Sequence, residues 1–225
     1  MRRLLYVPLI HDEADMGSVG NALGQRSTAG FSKQRWAIHS EVMNKFWESV
    51  AAHLRTLDPH RLKIYQDGLP SDGPTGRQIV EEAARRGSKN YRLVLELLDR
   101  GAELRKAEDP GLLLQERRNI LQLVDQPGHR QTSREAQQYR RQRDHLMMER
   151  DKFIAAAINA TLKEAEIGVL FLGAFHEVTG QLANDISVEA LKDRQRVRAY
   201  FEELLLSRED ERFQQLAHYL TSPVD

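Results

Sequence analysis

Two histidines, a set of carboxylates and one arginine carry the chemistry this chain could do, and each stands in a telling place. His11 follows the apolar run Leu4–Ile10 and is itself followed by Asp12, Glu13 and Asp15. Asp67 and Gly68 follow the run Arg61–Gln66, Glu108 and Asp109 follow Ala102–Ala107, and His176 follows Gly168–Phe175. Leu4–Ile10 and Gly168–Phe175 read as apolar strands, Arg61–Gln66 as a short strand, and Ala102–Ala107, with Glu103 and Arg105, as an edge-like one. In sheets covered by helices, ligands bind beyond the carboxyl ends of the strands. Imidazoles and carboxylates gathered there can hold a divalent ion, or act as acid, base and orienting group. The sequence therefore nominates His11, His176, Arg150, Asp67 and Glu108 as catalytic residues. It nominates His11, Glu13 and His176 as ligands of a divalent metal such as manganese, cobalt or zinc. The competing reading is that loops after strands are polar whatever they do.

Arg150 enters by a different route. Leu146, Met147, Ile154, Ala157 and Ile158 mark the apolar face of a helix, and Arg150 falls on it at three- and four-residue spacings. A buried guanidinium needs a carboxylate, a phosphate or several carbonyls. The spacing leaves two roles open for Arg150: an ion pair with one strand-end acid, or a clamp for negative charge in the same pocket. Asp151 reads as nearer the flank of that helix.

The elements that must position these residues follow from periodicity. Helices are expected over His39–Leu57 with Ser40 as N-cap, and over Arg77–Arg86 with Gly87 beyond its end. Further helices are expected over Asn90–Arg100 capped by Ser88, over Pro110–Val124, over Arg194–Leu206 and over Glu209–Leu220. A long helix over 132–162 is capped by Thr132 or Ser133. Ile186–Val188 reads as a short additional strand. Val169–Leu172 is apolar without alternation, the pattern of a central strand covered on both faces. The fold class is thus α/β: a small, mainly parallel sheet of about four strands, helix-rich, in one domain over 1–225. Residues 12–33 hold Gly17, Gly20, Gly24 and Gly30 and read as a long loop directly after His11, a lid over the site.

Composition narrows the function classes. In 225 residues, 33 Lys+Arg balance 33 Asp+Glu. Zero net charge speaks against a nucleic-acid partner. The chain has no cysteine, which removes disulfides, cysteine-ligated metals and a thiol nucleophile. Ile167–Phe175 is too short to cross a bilayer, so no membrane partner is expected. Pro8 and His11-Asp12-Glu13 end the first apolar run too soon for a signal peptide. A cytoplasmic location is the expectation. The polar stretch Ser133–Asp144 offers a surface for a homo-oligomer through the long helix.

The stretch Arg150-Asp151-x-x-Ile154, followed by Gly168–Phe175 and His176, resembles the TraB/Tiki, ChaN and erythromycin-esterase superfamily. In that group an Arg-Asn pair precedes a hydrophobic strand ending in Gly-x-x-His, and an earlier strand ends in a second Gly-x-x-His. Gly173-Ala174-Phe175-His176 matches the later motif, and Arg150 matches the arginine. His11 stands where the first histidine would, although Pro8-Leu9-Ile10-His11 lacks the glycine, and Asp151 replaces the asparagine. Asp67 and Glu108 stand where the family has strand-end acids. The resemblance implies an α/β fold with a polar site at the strand ends. Its members include metal-dependent proteases, esterases and a haem-binding lipoprotein. The resulting expectation is a hydrolase of ester or peptide bonds, metal-assisted or not, acting on a small molecule or peptide. The alternatives are a non-catalytic binder of a small ligand, haem or metal on the same fold, and an interaction protein.

Overall fold

The computed structural model describes residues 1–10, 33–124, 133–206 and 210–224. Five strands form one parallel sheet: β1 (Arg2–Leu9), β2 (Leu62–Gln66), β3 (Glu103–Arg105), β4 (Ile167–Gly173) and β5 (Ile186–Ala190), in the order β3-β2-β4-β1-β5. The α/β class holds, with β5 completing a fifth strand. Among the described residues seven α-helices accompany the sheet: α1 (Lys33–Arg55), α2 (Gly73–Arg85), α3 (Lys89–Asp99), α4 (Pro110–Val124), α5 (Ser133–Thr161), α6 (Arg194–Leu206) and α7 (Asp210–Thr221). None of the helices among these residues is long and apolar enough to cross a membrane.

β1 and β4 lie side by side in the middle, Leu4 opposite Gly168 and Leu9 opposite Gly173. All seven residues of β4 are buried, which is why the run lacks alternation. The two-residue period of the strands still divides the core. Leu5, Val7, Ile64, Val169 and Phe171 point to one face, covered by Val42, Phe46, Val50 and Leu54 of α1 and by α2, α3, α6 and α7. Leu4, Tyr6, Tyr65, Leu170 and Leu172 point to the other, covered by Ile154 and Ile158 of α5 and by Leu162 just after it. Burying one such aliphatic side chain contributes about 1.5–3 kcal/mol. Gly168 permits the close approach of α5: a Cβ there would stand 2.6 Å from Leu4 and 3.3 Å from Leu162.

Local signals explain most boundaries. The Ser88 hydroxyl accepts from the Tyr91 N–H at 3.1 Å and caps α3, as its position predicts. Two helix starts differ by several residues, and the third strand is shorter than expected, Glu103–Arg105. α1 begins at Lys33, so Ser40 is an interior residue and not a cap. α2 begins at Gly73, with Pro74 in its first turn, so the Gly/Pro stretch opens the helix.

The chain leaves β1 and β2 toward the face covered by α1 to α3. Beyond β4, Ala174 still packs on that side before the chain crosses to the opposite face, where Val178 packs beside Ile154 and Leu172. The strand between two neighbours thus departs the other way, and a crevice opens over the carboxyl ends.

Candidate functional site

Residues within three positions of the ends of β2, β3 and β4 form the floor of the crevice. The Asp67 N–H continues the β2–β4 ladder by donating to Phe171 O at 2.8 Å, which points the side chain out over the sheet edge. Gly68 then adopts φ +75°, a conformation glycine enters without steric cost, and the chain turns back. Leu69 O accepts from the N–H groups of Ala107 and Glu108, at 3.2 and 3.1 Å, which sets Glu108 beside Asp67. The Tyr91 hydroxyl donates to Asp67 O at 3.2 Å and pins the same turn from α3.

Arg150 reaches down from α5 into these acids. Its Nη2 donates to Asp67 Oδ1 at 2.7 Å and to Glu108 Oε1 at 2.5 Å. Its Nε donates to Glu108 Oε2 at 3.2 Å, and its Nη1 meets both oxygens of Glu116 from α4 at 2.7 and 2.8 Å. The side chains of Arg150 and Asp67 are each 5% exposed and that of Glu108 is fully buried, whereas Glu116 is 37% exposed. Every nitrogen of the guanidinium is engaged by a carboxylate, so an incoming anion would have to displace one, and Glu116 is the most accessible. Burial pushes the Glu108 carboxyl up to about 7 despite the opposing pull of Arg150.

The second group is a histidine–aspartate pair. His176 Nδ1–H donates to Asp151 Oδ1 at 2.5 Å, and the other Asp151 oxygen accepts from the Glu177 N–H at 2.8 Å. With Nδ1 so occupied, Nε2 is left 3.9 Å from Asp67 Oδ2, too far for a direct hydrogen bond. Asp67 Oδ2 is in turn fixed by the Gly173 N–H at 3.0 Å. Burial alone would lower the histidine's pKa, but the bond to Asp151 and the charge of Asp67 outweigh it, and the net direction is upward from 6.5. The loop carrying His176 is braced by Arg194 Nη1, which donates to His176 O at 2.6 Å, and by Arg198, which donates to Ala174 O.

Both groups border a cavity of about 680 Å³, within the usual range for a small-molecule site. Asp67, Glu116, Arg150 and His176 belong to its polar lining, while Leu113, Ile120, Met147, Phe175 and Phe201 supply apolar walls.

The structure therefore brings together Asp67, Glu108, Arg150 and His176. His11, Glu13 and residues 12–32 of the expected lid lie outside the described residues. Two further members of the cluster were not nominated from sequence. Asp151 is 4% exposed, as deep as Arg150, and not on the flank of its helix. Its spacing to Met147, Ala155 and Ile158 carries that signal. Glu116 interrupts the apolar face of α4, three residues after Leu113 and four before Ile120.

The described donors are engaged by other groups of the chain. Asp67 and Glu108 are taken up by Arg150, and His176 Nδ1 by Asp151. Among the described residues no group of three His, Asp or Glu side chains is arranged to hold a cation. No family model, curated protein or solved structure matches this chain.

Proposed function

We propose that the chain is a hydrolase of ester or amide bonds whose general base is His176. One observation carries the reading: a buried imidazole, oriented through Nδ1 by Asp151, presents Nε2 beside Asp67 at the floor of a largely apolar cavity. The 3.9 Å gap is too short for a water on the line between the two atoms, so a water meeting both would stand off that line. In this reading Asp67 Oδ2 orients that water and Nε2 accepts its proton as the water oxygen bonds to the substrate carbonyl carbon. The imidazolium, stabilised by Asp151, then returns the proton to the departing alcohol or amine as its bond to carbon breaks. Arg150 is a positioning residue here. It neutralises Asp67 and Glu108 and holds Asp67 in place, rather than meeting the developing oxyanion.

The motif resemblance to the TraB/Tiki, ChaN and erythromycin-esterase superfamily supports the same reaction class. The engagement of every Arg150 nitrogen by carboxylates favours a second reading, a pocket that binds without turnover.

A panel of p-nitrophenyl acyl esters and aminoacyl p-nitroanilides decides between the two. The expected result is turnover by the wild type, and a fall of about 100-fold or more in His176→Gln with the circular dichroism spectrum unchanged. Absence of wild-type turnover across the panel, or full activity in His176→Gln, would overturn the hydrolase reading.

A further inference from the structure

The charges around the cavity are unevenly matched. Among the described residues two carboxylates line it, Asp67 and Glu116, and both are bonded to Arg150. Three more arginines line it, each from a different helix: Arg86 just after α2, Arg117 on α4 and Arg198 on α6. Among the described residues no carboxylate lies within 4 Å of the guanidinium of Arg117 or Arg198, and Arg86 meets only Glu82, at 3.7 Å. Arg198 instead lies over the Phe175 ring at 5.3 Å and donates to Ala174 O beside His176, so it belongs to the floor. Arg86 and Arg117 are exposed while Asp67 and His176 are buried, so the unmatched positive charge sits at the outer part of the cavity and the reactive floor is deeper. Apolar side chains, among them Ile79, Leu113, Ile120, Met147 and Phe201, line the rest.

We infer that the site selects an amphipathic anion: an apolar acyl or alkyl body held along the cavity, with its carboxylate or phosphate met by Arg86 and Arg117. The anion does not go to Arg150, which is already neutralised by three carboxylates. This rests on the hydrolase reading only for what happens at the floor, where the scissile bond would lie at the end of the body remote from the anion. Arginine suits the outer role because its planar fork pairs with either oxyanion. Charge attraction in a partly exposed site weakens as salt rises, since the Debye length falls from about 10 Å at 0.1 M to about 3 Å at 1 M.

Binding is measured with 11-(dansylamino)undecanoic acid and its methyl ester, by dansyl fluorescence. Wild-type protein should bind the acid at least tenfold tighter than the ester in low salt, with the ratio shrinking in 1 M NaCl. In the double variant Arg86→Gln/Arg117→Gln the ratio should approach one while ester binding and the unfolding midpoint stay at wild-type values. Equal binding of acid and ester, binding of neither, or a ratio unchanged in the double variant would each overturn the inference. Displacement of the bound dansyl acid by decyl phosphate, compared with decanoate, separates phosphate from carboxylate preference. A second assay compares mono-p-nitrophenyl sebacate with p-nitrophenyl decanoate. Acid-selective binding without turnover of either ester would sink the hydrolase reading alone. Turnover of both esters without preference for the anionic one, and without acid-selective binding, would sink this inference alone.

Discussion

The two edges of the sheet carry similar ion pairs in opposite surroundings. At the amino edge, Arg2 grips Asp185 with Nε and Nη2, at 2.8 and 2.7 Å, and its Nη1 donates to Asn159 O and Leu162 O at the end of α5. Lys63 pairs there with Glu103 and with Glu166. Asp185 is 59% exposed, so water and salt screen that pair. At the carboxyl edge, Arg150 makes the same kind of bonds to Asp67 and Glu108 with all three side chains desolvated. Similar geometry thus does different work. The outer pairs tie off helix and strand ends. The inner ones hold charges out of water, where each partner becomes indispensable to the other and where pKa values move.

The largest expected effect of breaking this contrast comes from Arg150→Met. It leaves Asp67 and Glu108 buried without their cation, and removal of one partner of a buried pair costs about 3–5 kcal/mol. Urea unfolding checks it. A loss below about 1 kcal/mol would put the inner pair in the same class as exposed surface pairs, which contribute little. Asp151→Asn comes next. It keeps the shape but removes the charge that holds the imidazolium, so kcat on a responsive ester should fall by about 10²–10⁴-fold. KM should change little, and the His176 pKa read by NMR should drop.

A third prediction concerns pH. Glu108 is raised from 4.5 to about 7, and His176 is raised above 6.5. Each binds a proton more tightly in the folded chain than in the unfolded one. Their contributions to stability are complete below 4.5 and 6.5 respectively, and are lost as pH rises through the folded values. Unfolding free energy should therefore decline between about pH 5 and 7 in the wild type. Glu108→Gln should flatten that decline, and an unchanged slope in the variant would show that Glu108 does not drive it. The smallest effect is at the outer edge: Asp185→Asn should leave the unfolding midpoint within experimental scatter.

The same contrast shows what could be read from the sequence. β4 announced itself as an unbroken apolar run because both its faces are covered. Asp67, Glu108 and His176 were legible because each stands within three residues of a strand's carboxyl end, and in a parallel sheet those positions converge on one edge. β5 was only partly legible: Ser187–Ala190 are exposed, so no apolar pattern marks them. The role of Asp151 depends on how α5 crosses the sheet, which local spacing does not specify. Spacing placed Arg150 on a buried face, yet its three partners come from the ends of β2 and β3 and from α4. That choice is made by tertiary packing, and it settles Arg150 among carboxylates of the chain itself.

The most direct test of the central claim is the pH dependence of kcat/KM for a turned-over ester, wild type beside His176→Gln. The expected wild-type rate rises through one ionisation above 6.5, the upward direction set by Asp151 and Asp67. The variant should be at least about 100-fold slower, with that limb gone. A variant that keeps both the wild-type rate and the same limb would contradict a role for His176 as the base.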